Sequence, residues 1–397
     1  MSSPILNHAA LVLKLVQAGT PADQALRESL TQDRHYTAPA ERRGISRAVF
    51  TYFRWLRWLD PKDSPQKQLE AALVLQERFN QGPASFKPEA LAARAVPDWL
   101  KEEMDPIPVE WLHQLQREPV LWIRAKQGQA TSLATKLSHS RPASVPRFPA
   151  LSSQLSALSY SGPTDLYRTK EFQAGEFEIQ DLASQLVSLF CAPQPGETWW
   201  DACAGEGGKT MHLSDLMQGK GMLWASDRSV RRLAKLKDRA ARAKVFNYRT
   251  AVWEGGAKLP TRTKFDGVLV DAPCSGIGTW QRNPHARWTT QPKDVHELAA
   301  VQTNLLNHLA PSLKPGGRLV YSVCTLTRDE TTAVADEFTA SHPEFEPVPV
   351  VAGLAEPGLP AAGMAKAGPG STIPATGFMW PHELNANGMF IAVWRKK

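Results

Sequence analysis

Along the chain, apolar residues first recur with the period of a helix. The runs Ala9–Val16 and Arg47–Leu56 each gather them on one face, so residues 1–78 read as a helical domain. The polar side around the second run carries Arg42, Arg43, Arg47, Arg54 and Arg57, a basic face open to phosphates or simply to solvent. From Phe79 the period breaks, and Gly82-Pro83, Pro88, Pro97, Pro106 and Pro108 punctuate a connecting region. Short pieces then alternate, with Val120-Leu-Trp-Ile-Arg124 as a strand, so residues 79–175 read as a linker and a small α+β module. Further on, Leu182, Leu186, Val187 and Phe190 share one apolar helical face. Strands at Thr198–Asp201, Gly221–Asp227, Phe265–Asp271 and Gly317–Ser322 then alternate with helices starting near Lys209, running through Arg242 and covering Val295–Leu313. Such alternation over residues 176–397 predicts an α/β fold with a doubly wound parallel sheet. Residues 352–376 are rich in Ala, Gly and Pro and read as a flexible surface loop, and Asn387–Trp394 as a closing strand.

Composition changes this picture only at the edges. A length of 397 residues suits two or three domains. The net charge of +7 fits an anionic partner, nucleic acid being the commonest, and 13 tryptophans could offer stacking surfaces. The cysteines Cys191, Cys203, Cys274 and Cys324 lack C-x-x-C spacing and are too few for a disulfide scaffold, so neither a zinc site nor an oxidising compartment is expected. The sequence has no signal-peptide pattern and no apolar run approaching the ~18 residues of a membrane span, so a cytoplasmic location is expected.

The candidate chemistry falls at strand ends, where open α/β sheets bind ligands. After the first strand comes Asp201-Ala-Cys-Ala-Gly-Glu-Gly-Gly-Lys209-Thr210. Its glycines Gly205, Gly207 and Gly208 permit a tight turn and close approach to a ligand, and the helix start behind them suits an anion. The G-x-x-x-x-G-K-[ST] spacing of a phosphate-binding loop is not met. Asp227 ends the next strand and could accept hydrogen bonds from ribose hydroxyls or cap the following helix. Asp271 and Cys274 follow the third strand and Cys324 the fourth. Cys191 reads as a small buried hydrophobe.

Four segments taken together, Ile179-Gln-Asp-Leu-Ala-Ser-Gln185, the glycine loop, Asp271-Ala-Pro-Cys-Ser-Gly276 and Leu313-Lys-Pro-Gly-Gly-Arg-Leu-Val-Tyr-Ser-Val-Cys324, closely resemble the Sun/RsmB/NSUN family of RNA cytosine-C5 methyltransferases. The resemblance covers residues 175–397; the N-terminal segment ending Arg43-Gly-Ile-Ser-Arg-Ala-Val-Phe-Thr-Tyr-Phe-Arg-Trp55 is similar to the NusB-like domain of the bacterial branch. It implies a Rossmann-like class I methyltransferase domain at 176–397, preceded by a NusB-like RNA-binding domain at 1–78 and an RNA-recognition-like module at 79–175.

By the same resemblance, Cys324 is the nucleophile that adds to cytosine C6, and Cys274 releases the methylated product. Asp271 and Lys209 join them in the catalytic centre. S-adenosylmethionine would lie against Cys203, Ala204, Gly205, Glu206, Gly207, Gly208 and Lys209, with Asp227 on its ribose and Asp271 nearby. The residues alone do not rank Cys324 above Cys274. The implied partner is RNA, ribosomal in the bacterial layout, with no metal, membrane or obligate protein partner; transfer RNA is the alternative substrate, and a non-catalytic RNA-binding assembly factor the alternative role. The chain departs from the family pattern at Glu206 in the glycine loop, and Val323 stands where a threonine is usual. An acid expected near the adenine is missing around Val252-Trp253, leaving Trp253 to stack there or Glu254 to substitute.

Overall fold

A computed structural model of the chain describes residues 3–32, 38–145, 151, 154–349 and 376–397. The expected loop at 352–376 therefore lies, up to residue 375, outside the described residues. The chain divides into two compact units.

The first comprises Met1–Pro119 together with Gly276–Pro292. Helices Ser3–Gln17, Ala22–Gln32, Pro39–Trp55 and Pro65–Gln81 bury Ala9, Leu13, Ile45, Val49 and Leu69 against one another. The last of these helices starts cleanly because Ser64 caps the Lys67 amide and Pro65 needs no partner for its missing N–H. It runs across the boundary expected at residue 78, and helices Pro88–Arg94 and Val109–Leu115 belong to the same unit. The segment after Ser275 is built into this unit as well. Arg287, fully buried, donates to the Ala95 and Leu115 carbonyls at 2.9 and 3.1 Å, and the Trp280 ring stacks on Trp111. Arg54 departs from the expected basic face. It is 2% exposed and donates to Gln76 Oε1 at 3.2 Å, so it serves the interior.

The second unit comprises Val120–Ser275 and Lys293–Lys397. Strands β1 (Leu121–Ala125), β2 (Ser140–Pro142), β3 (Ala157–Tyr160) and β4 (Phe177–Ile179) form an antiparallel sheet in the order β2-β3-β1-β4. β4 belongs to this small sheet although its residues fall within 176–397, because its backbone pairs with β1. Gln180 follows directly and accepts from buried Arg124 at 2.7 Å, while Gln185 donates to the Gln180 carbonyl at 2.9 Å. The polar part of the Ile179–Gln185 segment thus joins the small sheet to helix Leu182–Cys191 under the large one.

The large sheet contains β5 (Thr198–Asp201), β6 (Met222–Asp227), β7 (Tyr248–Val252), β8 (Phe265–Asp271), β9 (Leu313–Val323), β10 (Phe345–Pro347), β11 (Thr376–Met379) and β12 (Met389–Lys396). Its order is β10-β12-β9-β8-β5-β6-β7, with β11 also on β12. The strands from β7 to β9 are parallel, as crossover helices require. The sheet is mixed rather than wholly parallel, because β12 returns antiparallel to β9 and carries β10 and β11 on its other side. Strand order reverses between β5 and β8, which opens a crevice at their carboxyl ends. Among the described residues no helix is long and apolar enough to cross a membrane.

Candidate active site

The glycine loop leaves β5 and enters helix Gly208–Leu216. Gly207 caps that helix with φ of 83°, and a Cβ there would stand 2.5 Å from Leu236 Cγ. Only glycine tolerates both the left-handed backbone and the approach of the neighbouring helix. The Gly205 amide donates to Asp227 Oδ2 at 3.0 Å, and the Ser229 amide to Asp227 Oδ1 at 2.8 Å. Asp227 therefore ties the loop after β5 to the end of β6, while Ser229 is the actual cap of the next helix, Val230–Ala243.

Lys209 comes one residue into its helix and is 9% exposed. Its ammonium lies 2.7 Å from Asp271 Oδ2 at the end of β8, and Ser322 on β9 donates to Asp271 Oδ1 at 2.9 Å. Burial opposes the Lys209 charge, but Asp271, Asp201 and Cys324 outweigh it and raise the ammonium above its ordinary range. Asp201, fully buried, is pushed up to about 7 by desolvation, against the Thr210 hydroxyl that donates to it at 2.6 Å. Among the described residues its Oδ1 has no hydrogen-bond partner.

The two cysteines at the ends of β8 and β9 meet, with Cys274 Sγ 3.2 Å from Cys324 Sγ. Asp271 and Ser322 are register partners on these parallel strands, so the residues just beyond them leave the sheet side by side. Both thiols open into a cavity of about 280 Å³ that is also lined by Cys203, Asp227, Trp253 and Asp271. Burial pushes the thiols of Cys191 and Cys203 well up, which favours their protonated forms. Cys203, half-buried, lines the cavity beside Cys274 and Cys324.

The structure does not bring every expected residue to this cavity. Ala204, Gly205, Glu206, Gly207, Gly208 and Lys209 are not among its lining residues. The Glu206 carboxylate is taken by Lys235 at 2.7 Å, on the helix that follows β6. Trp253 lines the cavity, although its ring packs 5.4 Å from Trp200 and its indole N–H donates to the Gly256 carbonyl at 3.0 Å. Exposed Glu254 does line the cavity.

The sequence profile of 16S rRNA methyltransferase RsmB/F matches residues 188–395, more than half of the chain. The chain belongs to the RsmB/F family. The "Probable ribosomal RNA small subunit methyltransferase B" of Bacillus subtilis is 39% identical over 181 residues, which are 45% of this chain and 40% of that protein. The ribosomal RNA small subunit methyltransferase B of Salmonella arizonae is 30% identical over 272 residues, 66% of this chain and 60% of that one. The chain thus spans between 40% and 60% of the length of these curated relatives. The crystal structure of PH0851 is 23% identical with a TM-score of 0.77, covering 100% of each chain, and shows the same fold.

Several lining residues of this RsmB/F member escaped the sequence. Val301 and Leu305 come from helix Pro292–Leu309 and wall the cavity with apolar surface. Their helical spacing looks like that of any core-facing position, so no signal marked them. Arg228, directly after Asp227, and Arg232, on the first turn of the next helix, also line it.

Proposed function

We propose that the chain is an S-adenosylmethionine-dependent RNA methyltransferase that modifies cytosine C5 in ribosomal RNA. The observation that carries this reading is the pair of thiols 3.2 Å apart in one cavity with Asp227 and Asp271. Family membership and the ribosomal RNA methyltransferase names of the relatives support the substrate class.

The residues fit the cofactor. Asp227, which lines the cavity, offers a carboxylate to a ribose diol. Arg232, near Gly205 and Asp227, and Glu254 add polar groups of both signs. When bound, S-adenosylmethionine supplies an electrophilic methyl group.

The chain's own residues prepare the base. Cytosine C5 is a weak nucleophile, so the Cys324 thiolate first forms a bond from Sγ to C6, and the displaced π electrons make C5 electron-rich. The Lys209 ammonium favours that thiolate and is held in place by Asp271. Once C5 carries the methyl group, a base takes the C5 proton, the C–H electron pair restores the C5–C6 double bond, and the C6–Sγ bond breaks to release the Cys324 thiolate. Cys274, touching Cys324, is placed to assist that expulsion. Because C5 and C6 are attacked from the faces of the ring, the target base must be unstacked or single-stranded.

The test compares wild type, Cys324→Ala and Cys274→Ala with cellular RNA, assembly intermediates included, and methyl-labelled S-adenosylmethionine. Methyl transfer to cytosine should vanish in Cys324→Ala, while Cys274→Ala should accumulate a covalent protein–RNA adduct. A wild type that binds RNA and labels no pool would leave an assembly factor as the better description. Loss of all chemistry without adduct in Cys274→Ala would exchange the two cysteine roles.

A further inference from the structure

The two cysteines sit on short irregular segments beyond β8 and β9, where no helix or strand ladder fixes them. One buried carboxylate bridges the residues that follow both. Glu330, 0% exposed, lies just before helix Thr332–Ser341 and reaches both segments. Its Oε1 accepts from the Ser275 amide at 2.8 Å and from Gln302 Nε2 at 3.1 Å. Its Oε2 accepts from the hydroxyls of Thr327 at 3.0 Å and Thr325 at 3.2 Å, and also from the Ser275 hydroxyl. Ser275 adjoins Cys274 and Thr325 adjoins Cys324, so one buried group holds the neighbours of both thiols. Gln302 also donates to the Pro273 carbonyl at 2.9 Å, and the Tyr321 hydroxyl to the Glu330 carbonyl at 2.6 Å, which fixes the carboxylate in turn.

The arrangement is costly unless it serves placement. Taking an unpaired carboxylate out of water costs several kcal/mol, and here hydrogen-bond donors rather than a cation offset that cost. Burial raises the Glu330 carboxyl above its ordinary range even with those donors in place. A fold that needed only to close this corner could use apolar residues of similar volume.

We propose that Glu330 is a positioning residue that sets the spacing of the Cys274 and Cys324 thiols. It touches neither substrate nor cofactor. Its effect on catalysis rests on the methyltransferase reading, in which both thiols must reach the same cytosine during one cycle, but its effect on thiol spacing does not. Loosening the clamp separates the thiols and leaves the cofactor end of the cavity, at Asp227 and Trp253, as it was.

Thiol spacing can be read without methyl transfer. Oxidised glutathione converts two close thiols into a disulfide: one cysteine thiolate attacks it and releases a glutathione, and the second attacks the mixed disulfide and releases another. Glu330→Gln keeps the shape and removes the charge, and Ser275→Ala removes one donor. The intramolecular Cys274–Cys324 disulfide, located by peptide mass, should form about tenfold more slowly in Glu330→Gln and by a smaller factor in Ser275→Ala. The turnover number should fall by about tenfold or more, while the affinity for S-adenosylhomocysteine stays within about twofold of wild type. Disulfide formation at the wild-type rate in both variants would overturn the proposal. Should Glu330→Gln fail to bind S-adenosylhomocysteine, the near-isosteric Thr327→Val is read in its place, and an unchanged disulfide rate there counts equally against it. A wild type that forms the disulfide readily yet methylates nothing would leave the clamp intact and sink the functional reading instead.

Discussion

Lys209 and Asp271 form a 2.7 Å ion pair between the first turn of one helix and the end of a strand 62 residues away. Asp271 lines the cavity that the thiols share, and the charge of Lys209 is coupled to Cys324. The pair couples the helix behind the glycine loop to the strand end that carries Cys274, and through charge to Cys324, the proposed nucleophile.

Removing that charge should make Cys324 a poorer nucleophile. In Lys209→Met, alkylation of Cys324 by iodoacetamide should slow about tenfold near neutrality, as expected for ~1.4 kcal/mol of lost charge stabilisation. Peptide mass spectrometry of the alkylated site gives the rate. An unchanged rate would mean that the lysine serves only to hold Asp271.

Asp201 should make stability fall with rising pH. Its native carboxyl is pushed up to about 7, so between the ordinary carboxylate range and that value the folded state holds a proton that the unfolded chain has lost. Stability conferred by this group is complete below about pH 4 and is lost as pH rises through about 7. Asp201→Asn removes the titration and should be more stable than wild type at pH 8 by up to ~4 kcal/mol, with a smaller difference at pH 5. Urea unfolding at the two pH values decides it; parallel curves for both proteins would count against the assignment.

Gly207→Ala should cost about 1–3 kcal/mol, because a Cβ would have both a left-handed backbone and Leu236 to contend with. Gly219→Ala is the control, with φ of 68° and nothing within 4 Å, so it should show the backbone cost of about 1 kcal/mol alone. Equal shifts in melting temperature would remove the steric part of the explanation.

Gln76→Leu should destabilise the helical unit by about 2–4 kcal/mol, since it orphans several buried groups. Gln76 accepts from Arg54 and Trp55, each at 3.2 Å, and donates to the Gln116 carbonyl at 3.0 Å. Denaturant unfolding should register the loss. A stability change under about 0.5 kcal/mol would show that water replaces these bonds readily.

What the sequence determined by itself was periodic or local. Alternating apolar runs placed β5, β6, β8 and β9 and the helices between them, and glycine spacing placed the turn at Gly205–Gly208. Asp227, Asp271, Cys274 and Cys324 could be put at strand ends because a strand's end is visible in one dimension. Tertiary structure alone decided what crosses from one element to another. The thiol contact depends on the register of β8 and β9, 50 residues apart, and the Glu330 clamp on loops that carry no periodicity. Arg54 looked like one more cation on a basic face, yet its helix turns it inward onto Gln76. Residues 276–292, continuous with the Pro273-Cys274 segment, pack instead with the N-terminal helices, because Trp280 and Arg287 find their partners there. A local pattern records which way a side chain faces along its own element; which residue it then meets depends on register and packing between distant segments.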